Sequence, residues 1–278
     1  MDYHGALLLL FAGLGTTFFA LLFLNELRKK SVLEKIKKLP FTEEYEEIVS
    51  RTPHYHRLTS ADQLKLQRSI VYFVHTKEFM GIGLEVTDEM KVLIAFYACL
   101  LLIHKATENC YENLKTIIIY PHSVMIKEIK SYGGIYTKEQ FMIQGQSAND
   151  TVVITWHEAK RESSHLRHNN VIIHEFTHEI DFMDCAIDGV PPIENSKYDG
   201  WVHVLHKEFN TLNMIAHKNR DWGKYKFLGA YAATNEAEFF AVVTERFFES
   251  PSSLKQHFPE LYSELEDFYQ IDTAMLFV

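Results

Sequence analysis

Cysteine is scarce in this sequence, which holds only three in 278 residues: Cys99, Cys110 and Cys185. Their odd number and irregular spacing predict free thiols in a reducing compartment rather than a disulfide-bonded framework. Basic residues are also few, with 28 Lys and Arg against 37 Asp and Glu and a net charge of −9. A nucleic-acid backbone repels such a charge, so the composition argues against nucleic acid as a partner.

Low-complexity tracts and internal repeats are missing as well. Hydrophobic residues make up 47% of the chain, aromatic residues 13% and charged residues 23%. That composition is typical of a chain that folds around a packed core, and it excludes wholesale disorder. The length allows one large domain or two small ones.

Charge is missing altogether between Gly5 and Leu24. In a helix this run spans roughly 30 Å, the thickness of the hydrocarbon core of a bilayer. No basic residue precedes the run and no small-x-small cleavage site follows it, so a transmembrane helix fits better than a cleaved signal peptide. A buried core helix and a peripheral hairpin are the alternatives.

A basic segment follows this uncharged run directly; it holds Arg28, Lys29, Lys30, Lys35, Lys37 and Lys38. Positive charge flanking a membrane helix favours the cytoplasmic side. The pattern therefore predicts a single-pass membrane protein that contacts the lipid bilayer through residues 5–24 and has all downstream residues in the cytoplasm. It divides the chain into a tail and transmembrane anchor over 1–27, a basic juxtamembrane segment over 28–40, and a folded domain over 41–278.

The folded domain combines short strands with many helices. "TIIIYP" (116–121) and "TVVITW" (151–156) are β-branched and bounded by turn residues, which predicts strands, and the segment 133–146 between them reads as a hairpin. Helical spacing predicts helices over 58–79, 86–104, 170–184, 197–217 and 235–249, and a last helix from about Pro259. The class is α+β, with a small sheet ahead of a mostly helical second half.

The segment "NNVIIHEFTHEIDFMD", residues 169–184, places two histidines four residues apart. On a helix His174 and His178 project from one face, so both imidazoles can bind one zinc ion. Glu175 lies about 100° further round the helix, where it can take a proton from water whose pKa the zinc lowers. The alternative is a core helix that carries histidines by chance, since the chain has 15 of them.

A zinc site needs a third protein ligand. The metzincin pattern would require glycine at 181 and histidine at 184, and the sequence has aspartate at both positions, so that class is excluded. Glutamates of "YAATNEAEFFAVVTERFFESP" are the natural suppliers: Glu236, Glu238 and Glu245. For Glu238 the residue pattern leaves two roles open, because Asn235 and Glu238 also have the spacing of a capping box.

Three segments together resemble the zinc peptidase family named after Mlc titration factor A. They are "VIIHEFTHEIDFMDCAIDGVPP", "YAATNEAEFFAVVTERFFESP" and "GQSANDTVVITW", and the similarity runs from about Leu58 to the end of the chain. The H-E-x-x-H-x-x-D motif of the family, and its tyrosine and glutamate seven residues apart, match His174, Glu175, His178, Asp181, Tyr231 and Glu238. The resemblance implies one zinc ion on His174, His178 and Glu238.

The same resemblance implies a zincin-like metallopeptidase fold, related to the catalytic domain of anthrax lethal factor. It also implies aminopeptidase-like hydrolysis of short peptides, with Glu175 as general base and Tyr231 as hydrogen-bond donor to the oxyanion. The family name records binding to a transcriptional repressor of sugar uptake. Two functions follow as hypotheses: a zinc peptidase with a peptide or protein substrate, or a membrane-anchored regulatory module that binds a cytoplasmic protein and has little or no peptidase activity.

Two further features carry expectations about burial. Asp181 can accept the second hydrogen of a ligating imidazole or brace a neighbouring helix, and a solvated or capping aspartate is the alternative. His54 and His56, in "TPHYHR", read as solvated loop histidines.

Overall fold

The computed structural model describes residues 3–105, 111–122, 150–166, 169–184, 186–218 and 221–277. The hairpin predicted over 133–146 lies outside these residues. The chain divides into two compact units, Met1–Pro40 and Phe41–Val278. All residues of the candidate metal site belong to the second unit.

The first unit is one long helix, α1 (Tyr3–Ile36). Many of its apolar side chains are exposed, among them Phe18, Phe19 and Phe23. The predicted transmembrane helix is not confirmed, because no helix in the described part of the chain combines the length and the apolar character needed to cross a membrane.

The second unit contains the remaining described helices and a three-stranded sheet. Its helices are α2 (Glu43–Val49), α3 (Ser60–Thr76), α4 (Asp88–Leu101), α5 (Trp156–Glu162), α6 (Val171–Asp181), α7 (Asn195–Lys218), α8 (Glu236–Glu249), α9 (Pro251–His257), α10 (Pro259–Tyr269) and α11 (Thr273–Leu276). Its strands are β1 (Glu78–Gly81), β2 (Thr116–Tyr120) and β3 (Thr151–Thr155). The predicted α+β class and the mostly helical second half are confirmed.

The sheet has the order β1-β2-β3, and both strand pairs are parallel. The strands predicted at 116–121 and 151–156 are confirmed as β2 and β3, with Ile118 opposite Val153. Strand β1 was not predicted, because the helical spacing of apolar residues in α3 continues to Phe79. The helix instead ends at Thr76, and the Glu78 N–H donates to the carbonyl of Lys115 (2.8 Å). Pairing with β2 therefore overrides the local helical pattern.

Helices α4, α6 and α8 form the centre of the hydrophobic core. Helix α4 is buried on nearly all faces; Val92, Phe96 and Leu100, for example, are fully buried. Helix α8 is buried from Ala237 through Glu249, charged residues included. The charged groups of a helix buried on all sides need partners elsewhere in the protein, since an unpaired buried charge costs several kcal/mol.

His54 is fully buried, so its predicted place in a solvated loop is wrong. Its Nε2 lies 3.3 Å from the carbonyl of Phe248, near the end of α8, and its Nδ1 lies 3.4 Å from the Tyr97 hydroxyl of α4. Burial lowers the pKa of His54 to about 4, so the ring is neutral at neutral pH. His54 packs the segment before α3 against the core. The polar residues around it in the sequence do not indicate this burial.

Candidate metal centre

The N-terminus of helix α6 is capped by a side chain and lies beside carboxylates. The side chain of Asn170 accepts the N–H of Ile173 (3.2 Å), as expected of an N-cap. The N–H of Val171 donates to Glu162 at the end of α5 (2.9 Å). Carboxylates at this end also interact favourably with the helix dipole. Ile172, Ile173, Phe176 and Ile180 then anchor the helix in the core.

His174 and His178 lie one turn apart on α6, with ring centroids 5.0 Å apart. His174 is buried and His178 is half-buried, so the pair lies at the boundary between the core and the surface. That position keeps both imidazoles fixed by packing while leaving one side of the pair open.

Glu238 of α8 brings its carboxylate to both imidazoles. Its Oε2 lies 3.0 Å from Nε2 of His174 and 3.6 Å from Nε2 of His178. The cap that the sequence offered as an alternative exists in part, since Asn235 accepts the backbone N–H of Glu238 (2.8 Å). The carboxylate of Glu238 points to the histidines. One residue thus has its backbone in the cap and its side chain in the candidate site.

These three side chains fit a zinc ion in number, kind and spacing. Their ligand atoms all lie within 4.8 Å of one another, and they form the one such group found in the described residues. Two imidazoles and one carboxylate are a common ligand set of catalytic zinc. Ligands about 2.0–2.1 Å from a tetrahedral zinc are roughly 3.3 Å apart, and the two distances to Glu238 lie on either side of that value.

The charge of Glu238 depends on the histidines. Burial by itself raises the pKa of this carboxyl, but hydrogen bonds and charges of His174 and His178 outweigh that cost. The pKa of Glu238 therefore lies well below its usual range, and the carboxylate is ionised at any working pH. An ionised carboxylate beside two imidazoles attracts a divalent cation.

Tyr231 and Glu175 border the same place. Tyr231 lies in the 3₁₀ turn Ala230–Ala233, and its ring centroid is 5.8 Å from that of His174. Its pKa lies well above the usual range, first because its hydroxyl is desolvated and then because Glu238 and Glu175 place negative charge nearby. The hydroxyl consequently stays protonated and can donate a hydrogen bond. The side chain as a whole is 54% exposed, so it faces the open side of the centre.

Glu245, also on α8, contacts the other nitrogen of His174. Its Oε1 lies 2.6 Å from Nδ1 of His174, and its Oε2 accepts the backbone N–H of Asn170 (2.9 Å). One turn further, Glu249 accepts the side-chain N–H of Asn170 (2.7 Å). The sequence pattern marked Glu245 only as a candidate metal ligand, and it did not mark Glu249. The spacing of seven and then four residues, which keeps these glutamates on the face of Glu238, was the available indication.

Asp181, the last residue of α6, is fully buried. It accepts the backbone N–H of Gly189 (3.0 Å), and Trp201 donates its indole N–H to the carbonyl of Gly189 (3.1 Å). Gly189 has φ +78°, and a Cβ there would meet the backbone carbonyl oxygen of Glu236 at 2.6 Å. Of the roles weighed for Asp181, bracing a neighbouring helix is the one its contacts support, because they reach the start of α8 through this loop.

Two imidazoles on one helix and a carboxylate on a second, beside a glutamate and a tyrosine, form a candidate metal site of the kind that metallopeptidases use. Comparison with known proteins agrees. The family described as glucose-regulated metallo-peptidase M90 matches residues 24–270, and the chain belongs to this family. The expected resemblance to Mlc titration factor A is confirmed as well.

Individual relatives are similar over most of the chain. Mlc titration factor A of Serratia proteamaculans is 29% identical over 226 residues, covering 77% of this chain and 83% of the relative. The corresponding protein of Klebsiella pneumoniae strain 342 is 28% identical over 228 residues, covering 79% and 83%. A Synechocystis protein designated slr2042 is 31% identical over 232 residues, covering 80% and 81%.

Proposed function

We propose that this protein is a zinc-dependent peptidase whose single zinc ion is held by His174, His178 and Glu238. The observation that carries the proposal is the convergence of two imidazoles from α6 and one ionised carboxylate from α8 within 4.8 Å, beside Glu175 and Tyr231. Membership of a metallo-peptidase family supports the same reaction class.

Residues of this chain divide the work of peptide hydrolysis. When bound, zinc polarises the scissile carbonyl and lowers the pKa of water. Glu175, next to His174 on α6, takes a proton from water and returns it to the leaving amine. Tyr231 keeps its proton and donates a hydrogen bond to the developing oxyanion. The buried and ionised Glu238 compensates the charge of the ion.

The decisive experiment compares wild type with Glu175→Gln. We expect the purified wild-type protein to contain one zinc per chain and to cleave members of a short-peptide panel. Glu175→Gln should keep the zinc and lose activity by roughly 10²–10⁴-fold, because only the base is removed. Glu236→Gln, an exposed glutamate of α8, is the matched control. A wild-type protein that holds zinc and cleaves no peptide would refute the enzymatic proposal.

Within this reaction class we propose an aminopeptidase-like preference, which the sequence resemblance implied. The test compares peptides with free and acetylated N-termini, because an aminopeptidase needs the free amine. Equal rates on both sets would point to an endopeptidase.

A second candidate function is regulatory binding of a protein. Several relatives carry the name Mlc titration factor A, and this name favours a repressor as the partner. The variant Glu175→Gln distinguishes the two functions, since binding a protein does not need the general base Glu175. Capture of a purified repressor that survives Glu175→Gln would support the regulatory role, whereas no binding by wild type would contradict it.

We further propose that the N-terminal helix attaches the protein to a membrane on its cytoplasmic side. Support comes from the uncharged run 5–24, the exposed Phe18, Phe19 and Phe23, and the adjacent basic segment. Full-length protein should sediment with membranes and resist carbonate extraction if it is inserted, while a chain starting at Phe41 should not. Recovery of full-length protein in the soluble fraction would contradict attachment.

A further inference from the structure

The metal ligand His174 is held at both ring nitrogens by glutamates of one helix. Oε2 of Glu238 lies 3.0 Å from Nε2, and Oε1 of Glu245 lies 2.6 Å from Nδ1. Glu238 and Glu245 are two turns apart on α8 and face the same imidazole. We infer that Glu245 is a positioning residue, which fixes the tautomer and the orientation of His174 and couples both to the N-terminus of α6. The inference rests on the proposed zinc site.

Glu245 determines where the His174 ring carries a hydrogen. A carboxylate only accepts hydrogen bonds, so a 2.6 Å contact with Glu245 requires Nδ1 to carry the hydrogen. In the metal-free protein Nε2 faces the ionised carboxylate of Glu238 at 3.0 Å, so by the same chemistry Nε2 also carries a hydrogen there. A metal ion would replace the hydrogen on Nε2, because Glu245 holds the hydrogen on Nδ1. Glu245 thus leaves Nε2 as the nitrogen that binds a metal ion at the centre.

Glu245 also links the His174 ring to the start of α6. The other oxygen of Glu245, Oε2, accepts the backbone N–H of Asn170 (2.9 Å), the N-cap residue of α6. Both oxygens are therefore committed, one to the ligand side chain and one to the start of the helix that carries it. Glu245 is 6% exposed, so water offers little compensation if either contact is lost. Rotation of His174 away from the metal position breaks a buried bond to a carboxylate.

Glu249 provides a matched control on the same face of α8. It is 3% exposed and accepts the side-chain N–H of Asn170 (2.7 Å). It resembles Glu245 in burial, helix and capping partner. Among the described contacts, Glu245 alone of the two bonds to His174, so a comparison of the two variants separates positioning of the ligand from general support of the helix.

The experiment measures zinc affinity of the full-length protein by chelator competition in wild type, Glu245→Gln and Glu249→Gln. A glutamine offers one oxygen and one NH₂ group, so it cannot accept both hydrogen bonds of Glu245. We expect affinity to fall roughly 10- to 100-fold in Glu245→Gln, the usual effect of losing an outer-shell partner. Glu249→Gln should lower the unfolding temperature of the metal-free protein and leave zinc affinity within about twofold of wild type.

Unchanged zinc affinity in Glu245→Gln, or an equal loss in both variants, would overturn the inference. A measurement on wild type covers the case in which Glu245→Gln does not fold. Nitrogen-15 NMR should show the His174 hydrogen on Nδ1 both without metal and with zinc bound, and zinc bound through Nδ1 would overturn the inference. If wild type takes up no zinc while Nδ1 still carries the hydrogen, the zinc proposal fails rather than the contact between Glu245 and His174.

Discussion

Helices α6 and α8 pack against each other and differ in what they bury. Helix α6 contributes imidazoles, apolar side chains and the N–H groups of its first turn. Helix α8 contributes charge, burying Glu238, Glu245, Arg246 and Glu249. Each of these charged groups has partners outside α8; Arg246, for example, donates to the carbonyl of Phe227 (2.9 Å) and to Asn169 (3.1 Å).

The difference shows that the two helices depend on each other. The buried carboxylates of α8 are compatible with a stable fold because α6 and its flanking segments donate hydrogen bonds to them; an uncompensated buried charge costs several kcal/mol. Conversely, the imidazoles of α6 converge on a metal position because α8 holds them from the other side. A substitution on one helix should therefore change zinc affinity or stability through its contacts with the other helix.

The largest effect is expected from Glu238→Gln. Replacing the carboxylate removes one of three ligands and the negative charge between the imidazoles, so zinc affinity should fall roughly 100-fold or more. The backbone cap with Asn235 is untouched, but the carboxylate also contacts both imidazoles in the metal-free protein, so the unfolding temperature of the metal-free protein should fall as well, and zinc affinity is the deciding measurement. Glu236→Gln serves as control. Retained zinc together with reduced stability would instead assign Glu238 to the cap.

A smaller effect is expected from Gly189→Ala, which acts on α8 from the loop after α6. The added Cβ meets the backbone oxygen of Glu236 at 2.6 Å, and φ of +78° disfavours alanine. We expect a loss of about 3 kcal/mol in the free energy of unfolding, measured with urea, and weaker zinc binding as the start of α8 shifts. Gly83→Ala, at φ +74° with nothing within 4 Å, isolates the backbone strain. Equal losses in both variants would show that the contact with α8 is unimportant.

The smallest effect concerns pH and Asp181. Burial raises the pKa of Asp181 to about 7 from its ordinary value of 3.8. Between these values the folded protein holds a proton that the unfolded chain releases, so stability falls as pH rises from about 4 to 7. Asp181→Asn removes this titration and should be more stable than wild type above pH 7, on the order of 2 kcal/mol. Urea unfolding at pH 5 and pH 8 tests this; the same pH dependence in both proteins would refute it.

Local sequence pattern was sufficient for much of the fold. Helices α4, α6, α8 and α10 and strands β2 and β3 follow from apolar spacing, caps and β-branched runs, which act over a few residues. Strand β1 did not, because its partner β2 lies some forty residues later and its own sequence continues the spacing of α3. The burial of His54 was missed for the same reason, since its partners Tyr97 and Phe248 are distant in the chain.

The sequence by itself determined the chemistry available at the centre. A spacing of four positions places the imidazoles of His174 and His178 on one face of a helix, and it puts the carboxylate of Glu175 beside that face. Which glutamate of α8 faces the imidazoles, and which holds a ligand from behind, was decided only by the tertiary structure. Glu236, Glu238 and Glu245 are chemically alike, and the packing of α8 on α6 alone sets their distances to His174.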